Sequence, residues 1–305
     1  MFPSSAIIQA DVIDGLSKVA DKSQSLIISS PPYNIRKPYE RSDKRSTEQY
    51  IEWQRSICSK LIAKLADDGS ICWQVGNHVR DNQVIPLDYV FYDIFVSLGM
   101  KLRNRIIWRF NFGLHSQQRL SGRYETILWF TKSDSYKFNL DRIRIPQLYP
   151  GKRHSTNKGD RAGLPSGNPS GKNPSDFWEF APDEAFISQP IWDVPNVKSN
   201  HPERTDHPCQ YPIEIAERCI LAFTDKGNSV LDPFLGAGST ALAALKNGRA
   251  SIGIEREASY VKLSQERIEQ LKQDSLPYRP LGKPVMRPPR TQRVAQRPAE
   301  WEPGE

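Results

Sequence analysis

The apolar run Leu26-Ile27-Ile28 breaks off at Ser29-Ser30-Pro31-Pro32-Tyr33-Asn34, and a prolyl pair at that point leaves the chain little choice in how it continues. A short β-branched run fits a strand covered on both faces, and two residues without an amide hydrogen must end its ladder. The chain therefore leaves a buried sheet here, with the Ser30 hydroxyl, the Pro31 and Pro32 carbonyls and the Tyr33 ring held in nearly fixed relation. The cluster contains no carboxylate, metal ligand or strong base; it has acceptors beside one flat ring. A planar base bearing an NH2 group fits it. Acceptors facing such an amine draw its hydrogens out of the ring plane, so the nitrogen lone pair is less conjugated and can attack an electrophile. Taken alone, the hexapeptide also reads as an ordinary turn with a buried tyrosine.

The surrounding pattern predicts an α/β fold. Leu26 to Ser29, Ser70 to Val75, Arg105 to Trp108 and Thr126 to Thr131 read as strands. Between them Ile57, Leu61, Ile62 and Leu65 mark one helix face, and Leu87, Val90, Phe91, Ile94 and Leu98 another. Asp67-Asp68-Gly69 is expected to end the first of these helices. After a stretch rich in Gly, Pro, Ser and Asn the rhythm resumes, with helices at 212–223, 239–246 and 258–273 and strands at 229–231 and 250–254. Strands alternating with helices predict a mostly parallel, doubly wound sheet. Four regions follow: 1–132 as one half of the core, 133–190 as a loop-rich insertion, 191–274 as the other half, and 275–305 as a flexible Pro/Arg-rich tail.

Charge adds a partner. The net formal charge is +7 with a pI near 9.2, and much of the surplus lies in the insertion, where nine Lys or Arg face three Asp between Lys132 and Lys172. That favours a polyanion. The four cysteines show no Cys-x-x-Cys spacing and no long apolar span interrupts the chain, so a reducing cytoplasm and no membrane are expected. His201-Pro202-Glu203 followed by Pro208-Cys209 imitates the start of a zinc-deaminase signature, but Pro212 stands where the second cysteine belongs. No metal is expected.

A second motif runs from Val230 through Asp232-Pro233-Phe234-Leu235-Gly236-Ala237-Gly238 into Ser239-Thr240. It passes from strand through glycine turn to helix, a route that permits close backbone approach to a ligand. Nineteen residues after Gly236, the run Ser251-Ile252-Gly253-Ile254 ends in Glu255, a position from which a carboxylate commonly grips ribose hydroxyls. The glycine that would admit a pyrophosphate is replaced by Ser239-Thr240, which disfavours a dehydrogenase and favours an adenosine without phosphates. Ligands of open α/β sheets bind beyond the carboxyl ends of the strands, so the two motifs should share one cleft.

At this point the chain resembles the S-adenosylmethionine-dependent DNA amino-methyltransferases of restriction-modification systems. Ser30-Pro31-Pro32-Tyr33 is similar to their catalytic motif, Phe234-x-Gly236-x-Gly238 to their cofactor motif, and His207-Pro208-Cys209-Gln210-Tyr211-Pro212 to the motif just before it. Catalytic motif first, cofactor motif later and an insertion between resembles the beta arrangement of the family.

The resemblance implies a Rossmann-like methyltransferase sheet, S-adenosylmethionine as methyl donor, and a base flipped out of double-stranded DNA. Ser30 and the Pro31 carbonyl would accept the amine hydrogens, Pro32 would fix the turn and Tyr33 would stack on the base. Asp11, His207, Gln210, Asp232, Phe234, Gly236, Gly238, Ser239, Thr240 and Glu255 would form the cofactor site. Arg109, Phe110 and Phe112 would line the base pocket, with core packing an equal reading of the aromatics. The insertion, with Lys152 and Arg153, would grip and read DNA. Serine at the first motif position is more frequent among N4-cytosine enzymes and aspartate among N6-adenine enzymes, so cytosine N4 leads and adenine N6 follows. A DNA-binding protein with a decayed fold is a weaker alternative. A homodimer and a cognate restriction endonuclease are further partners the resemblance allows.

Overall fold

Leu26 and Ile28 point to one side of a sheet and Ile27 to the other, and all three are buried. That alternation divides the core. The computed structural model describes residues 2–34, 45–80, 83–110, 116–147, 150–178, 195–197 and 201–283. Its described strands are β1 (Ser5–Gln9), β2 (Gln24–Ser29), β3 (Leu65–Val75), β4 (Asn77–Arg80), β5 (Gln83–Pro86), β6 (Lys101–Arg109), β7 (Tyr124–Thr131), β8 (Phe177–Trp178), β9 (Ser229–Asp232) and β10 (Ala250–Glu255). The helices are α1 (Val12–Ser17), α2 (Thr47–Lys64), α3 (Leu87–Ser97), α4 (Ile213–Phe223), α5 (Ser239–Lys246) and α6 (Ala258–Lys272).

One eight-stranded sheet runs in the order β1-β10-β9-β2-β3-β7-β6-β8, and β4 and β5 form a separate hairpin. From β1 to β3 every pairing is parallel. β7 lies antiparallel between β3 and β6. On one face Leu26 and Ile28 pack with α4 and α5; on the other Ile27, Ile71 and Trp73 pack with α1, α2 and α3. The sheet is thus mixed but predominantly parallel and covered on both faces, as the near-continuous apolar strands require.

Two local expectations are corrected. α2 ends at Lys64, and Leu65 is already extended, so Asp67-Asp68-Gly69 does not end the helix. It forms a bulge: the register passes from Gln24 opposite Leu65 to Leu26 opposite Ser70, and a Cβ on Gly69 would lie 3.0 Å from the Ser25 carbonyl oxygen. Residues 275–283, expected to be flexible, pack on the core. Leu276 and Arg279 are buried, Arg279 donates to Glu214 at 2.5 Å, and the Arg279 amide donates to Glu203 at 3.1 Å. Residues 284–305 lie outside the described residues. The 133–190 insertion packs on the core: β8 extends the sheet beside β6, and Tyr136 and Phe138 pack against Trp129. No described helix is long and apolar enough to cross a membrane.

Candidate active site

β2 and β9 are neighbours, with Leu26 opposite Val230 and Ile27 opposite Leu231, so both motifs emerge from the same sheet end. A hydrogen bond joins them: Ser29 Oγ donates to Asp232 Oδ1 at 2.5 Å. Asp232 is fully buried and also accepts the Phe234 amide at 3.0 Å and the Tyr211 hydroxyl at 3.2 Å. Burial pushes its carboxyl above the usual range, against the pull of these donors. Asp232 therefore holds the turn together from behind.

Beyond the strand ends lies a cavity of about 1010 Å3. One part is walled by Ser30, Pro31, Pro32 and Tyr33, another by Phe234, Gly236, Glu255 and Tyr260. In the first part Tyr50 donates to the Pro32 carbonyl at 2.7 Å. The Ser30 and Tyr33 hydroxyls lie 3.0 Å apart, and Tyr33 donates to the Gln74 carbonyl at 3.4 Å. A Ser30 hydroxyl that donates to Tyr33 keeps the lone pairs of its own oxygen for a ligand. An amine can be bound there as a donor.

In the second part Gly236 has a φ of +52°, and a Cβ on it would come within 2.9 Å of His207 Nε2. This position needs glycine twice over. Glu255 at the end of β10 accepts the Gly236 and Glu257 amides, each at 2.8 Å. Its carboxylate is fixed by these bonds and retains acceptor sites for vicinal hydroxyls. Burial raises its pKa while the amides lower it. Phe234, Pro208 and Tyr260 supply apolar wall, and Trp53 meets Phe234 edge-on at 6.2 Å. A nucleoside fits this donor set, and a nucleoside-bearing sulfonium with a flat base in front of it fits the whole cavity.

Asp11 lines the cavity while capping α1, its Oδ1 accepting the Ile13 amide at 3.0 Å. His207 and Gln210 also line it. Gln210 is held by Thr205 at 2.7 Å and by the Glu203 carbonyl at 2.8 Å. The His207 ring packs edge-on against Tyr260, and burial, aided by Arg267, lowers its pKa to about 4. Gly238, with a φ of +79°, precedes α5 and abuts Ser264. Ser239 donates to the Tyr211 carbonyl at 2.8 Å and borders a small extension of the cavity, whereas Thr240 is fully buried against Tyr211. Asp232, Gly238 and Thr240 thus stand behind the cavity wall.

Arg109 and Phe110 line the cavity, and Phe110 meets Trp108 edge-on at 5.1 Å; Phe112 lies outside the described residues. Lys152 and Arg153 are exposed on the insertion, away from the cavity wall, with Arg153 donating to the Gly163 carbonyl at 2.7 Å. Cavity residues not singled out from the sequence include Arg45, Trp53, Gln74, Trp108, Glu125 and Tyr260. Arg45 sits 4.2 Å from the centroid of the Trp53 ring. Among the described residues, no group of His, Cys, Asp or Glu is placed to hold a metal.

Comparison with known proteins agrees with this geometry. A family described as DNA methylase matches residues 25–266. The Type II methyltransferase M.BglII of Bacillus subtilis is 44% identical over 261 residues, which span 85% of this chain and 68% of that protein. The DNA adenine methyltransferase YhdJ of Escherichia coli is 27% identical over 266 residues, 86% of this chain and 82% of that protein. Among solved structures, the cytosine-N4-specific PvuII DNA methyltransferase shares the fold, with a TM-score of 0.63, 19% identity, and coverage of 90% of this chain and 95% of that one.

Proposed function

The chain belongs to the N6/N4 DNA methylase family, and from that membership we propose that it methylates the exocyclic N4 of cytosine at a specific site in duplex DNA, after flipping the base out of the helix. It is an amino-methyltransferase, and S-adenosylmethionine is its cofactor. One observation carries the proposal: the Ser30–Tyr33 turn and the Gly236–Glu255 site open onto a single cavity, their strands joined by the Ser29–Asp232 bond.

When bound, S-adenosylmethionine supplies a methyl group already activated by its sulfonium. The chain's own task is placement. Glu255 and the Gly236 turn would hold the ribose end, with Phe234, His207, Gln210 and Asp11 completing that wall. Tyr33 would stack on the flipped base, and Ser30 Oγ with the Pro31 carbonyl would accept the amine hydrogens, aiming the nitrogen lone pair at the methyl. No strong general base is needed, since the surplus proton can leave to water. Arg109 and Phe110 would close the base pocket. The regions would divide the work as 1–132 for the base, 191–274 for the cofactor and 133–190, with Lys152 and Arg153, for reading DNA.

Cytosine is favoured over adenine by the neutral Ser30 where a carboxylate would mark an adenine enzyme. The adenine reading keeps the support of a relative named as an adenine methyltransferase. To separate them, purified protein is incubated with unmethylated genomic DNA and methyl-labelled S-adenosylmethionine, and the DNA is digested to nucleosides for chromatography and mass analysis. Labelled N4-methylcytosine is the expected product. N6-methyladenine would replace the base assignment, and tight DNA binding with no label would leave a binding protein on a decayed fold. A homodimer and a cognate endonuclease of the same restriction-modification system are proposed as further partners, to be checked by sedimentation and by co-purification from the native host.

A further inference from the structure

The base side of the cavity contains a carboxylate to which no role has yet been given. Glu125 stands near the start of β7 opposite Trp108 of β6, and it lines the cavity together with Tyr33, Gln74 and Gly76. The missing side chain of Gly76 brings them together: a Cβ there would lie 3.2 Å from Glu125 Oε1 and 3.3 Å from Tyr33 Cε2. Carboxylate and ring thus meet over the same bare stretch of backbone. Gln74 connects to both. Its side-chain nitrogen donates to Glu125 Oε2, and its backbone carbonyl accepts the Tyr33 hydroxyl. Gln74 is 3% exposed, and its Oε1 is buried without a partner.

An ionised carboxylate is acceptor-only. The amide of Gln74 is turned with its nitrogen to the carboxylate and its own oxygen buried, so Gln74 orients Glu125, whose carboxylate offers acceptors beside the ring on which a base would stack. Such an edge attracts an amine and repels a ring carbonyl.

We propose that Glu125, oriented by Gln74, reads the amine-bearing edge of the flipped base by sharing an amine hydrogen with Ser30, so that Glu125 admits cytosine or adenine and rejects their deaminated counterparts. This rests on the assignment of Ser30 to Tyr33 as the base site. It adds a residue that sets specificity, and it requires no new chemical step.

The test uses full-length wild type, Glu125→Gln and Glu125→Ala with short duplexes that carry the site mapped from the wild-type modification. The target position holds the natural base, its deaminated analogue (uracil for cytosine, hypoxanthine for adenine) or an abasic sugar. Calorimetry with S-adenosylmethionine, duplex binding and single-turnover methylation are read separately. All three proteins should bind the cofactor and the abasic duplex within about twofold of one another. Wild type should bind the natural base about tenfold or more better than the deaminated one. Glu125→Gln should narrow that preference to about threefold and slow transfer about tenfold, and Glu125→Ala should slow it about a hundredfold. If both variants keep the wild-type preference and transfer rate, the proposal is overturned while the assigned activity stands. A Glu125→Ala protein that loses thermal stability and activity together, beside a Glu125→Gln protein with full preference, also overturns it, since Glu125 is then a structural support. No methyl transfer to any DNA by wild type would overturn the parent assignment and this proposal with it.

Discussion

Gly236 is the position where backbone conformation and side-chain space most sharply limit what the chain can tolerate. Alanine there must adopt a φ of +52° and press a Cβ within 2.9 Å of His207 Nε2. Gly236→Ala is expected to cost about 1–3 kcal/mol in strain and, by displacing His207, to weaken S-adenosylmethionine binding about tenfold, read by calorimetry. Ser29→Ala acts behind the wall. Asp232 Oδ1 would lose the Ser29 hydroxyl and keep the Phe234 amide, and a loss of about 1–3 kcal/mol in unfolding free energy should appear in urea titration. His207 provides a pH dependence of definite sign. Its folded pKa, lowered to about 4 by burial, lies below the ordinary 6.5, so the unfolded chain binds more protons between these values. The stability it contributes is present above about pH 6.5 and is lost as pH falls toward 4. His207→Asn should therefore flatten the decline in urea midpoint between pH 7 and pH 5 relative to wild type. If the two curves stay parallel, the histidine is not the cause.

Helix α2 begins with a reciprocal cap in which Ser46 Oγ accepts the Gln49 amide at 3.2 Å and Gln49 Oε1 accepts the Ser46 amide at 2.9 Å. Ser46→Ala is expected to destabilise the protein by about 1 kcal/mol, checked by thermal melting. At this scale much was legible in advance. α5 occupies the predicted span, and α4, α6, β9 and β10 depart from prediction by a residue or so, because apolar periodicity and glycine punctuation are written locally. What was not legible depends on partners distant in sequence. The bulge at Asp67-Asp68-Gly69 exists only because β3 must stay in register with β2, and read alone those residues signal a helix end. The same holds for the site. Ser30 to Tyr33, Gly236 and Glu255 stand at strand ends and betray themselves. Glu125, Gln74 and Trp53 lie inside regular elements, where only pairing across the sheet or packing of α2 brings them to the cavity.

Across the whole molecule, a buried ionic network ties the last described segment to the cavity wall at Gln210. Glu214 is fully buried between Arg218 and Arg279. Glu203 accepts the amides of Ile213 and Arg279, and its carbonyl holds Gln210 at the cavity. Removing residues 275–305 takes away Arg279 and leaves Glu214 with one cation, which should cost about 3–5 kcal/mol and weaken cofactor binding relative to removal of 284–305 alone. Thermal melting and calorimetry on the two truncations check both effects. The sheet order has a consequence in time. Ser5 pairs with Ser251, and Gln9 with Glu255, so the first strand must wait for one of the last before its open edge is covered. At about 5–20 residues per second of synthesis, that edge stays unpaired for roughly 10–50 s, and the cavity cannot close around Glu255 until β10 has been made. The cavity wall that Glu255 completes is therefore among the later parts of the fold to form, and the edge of the early strand stands open during that interval.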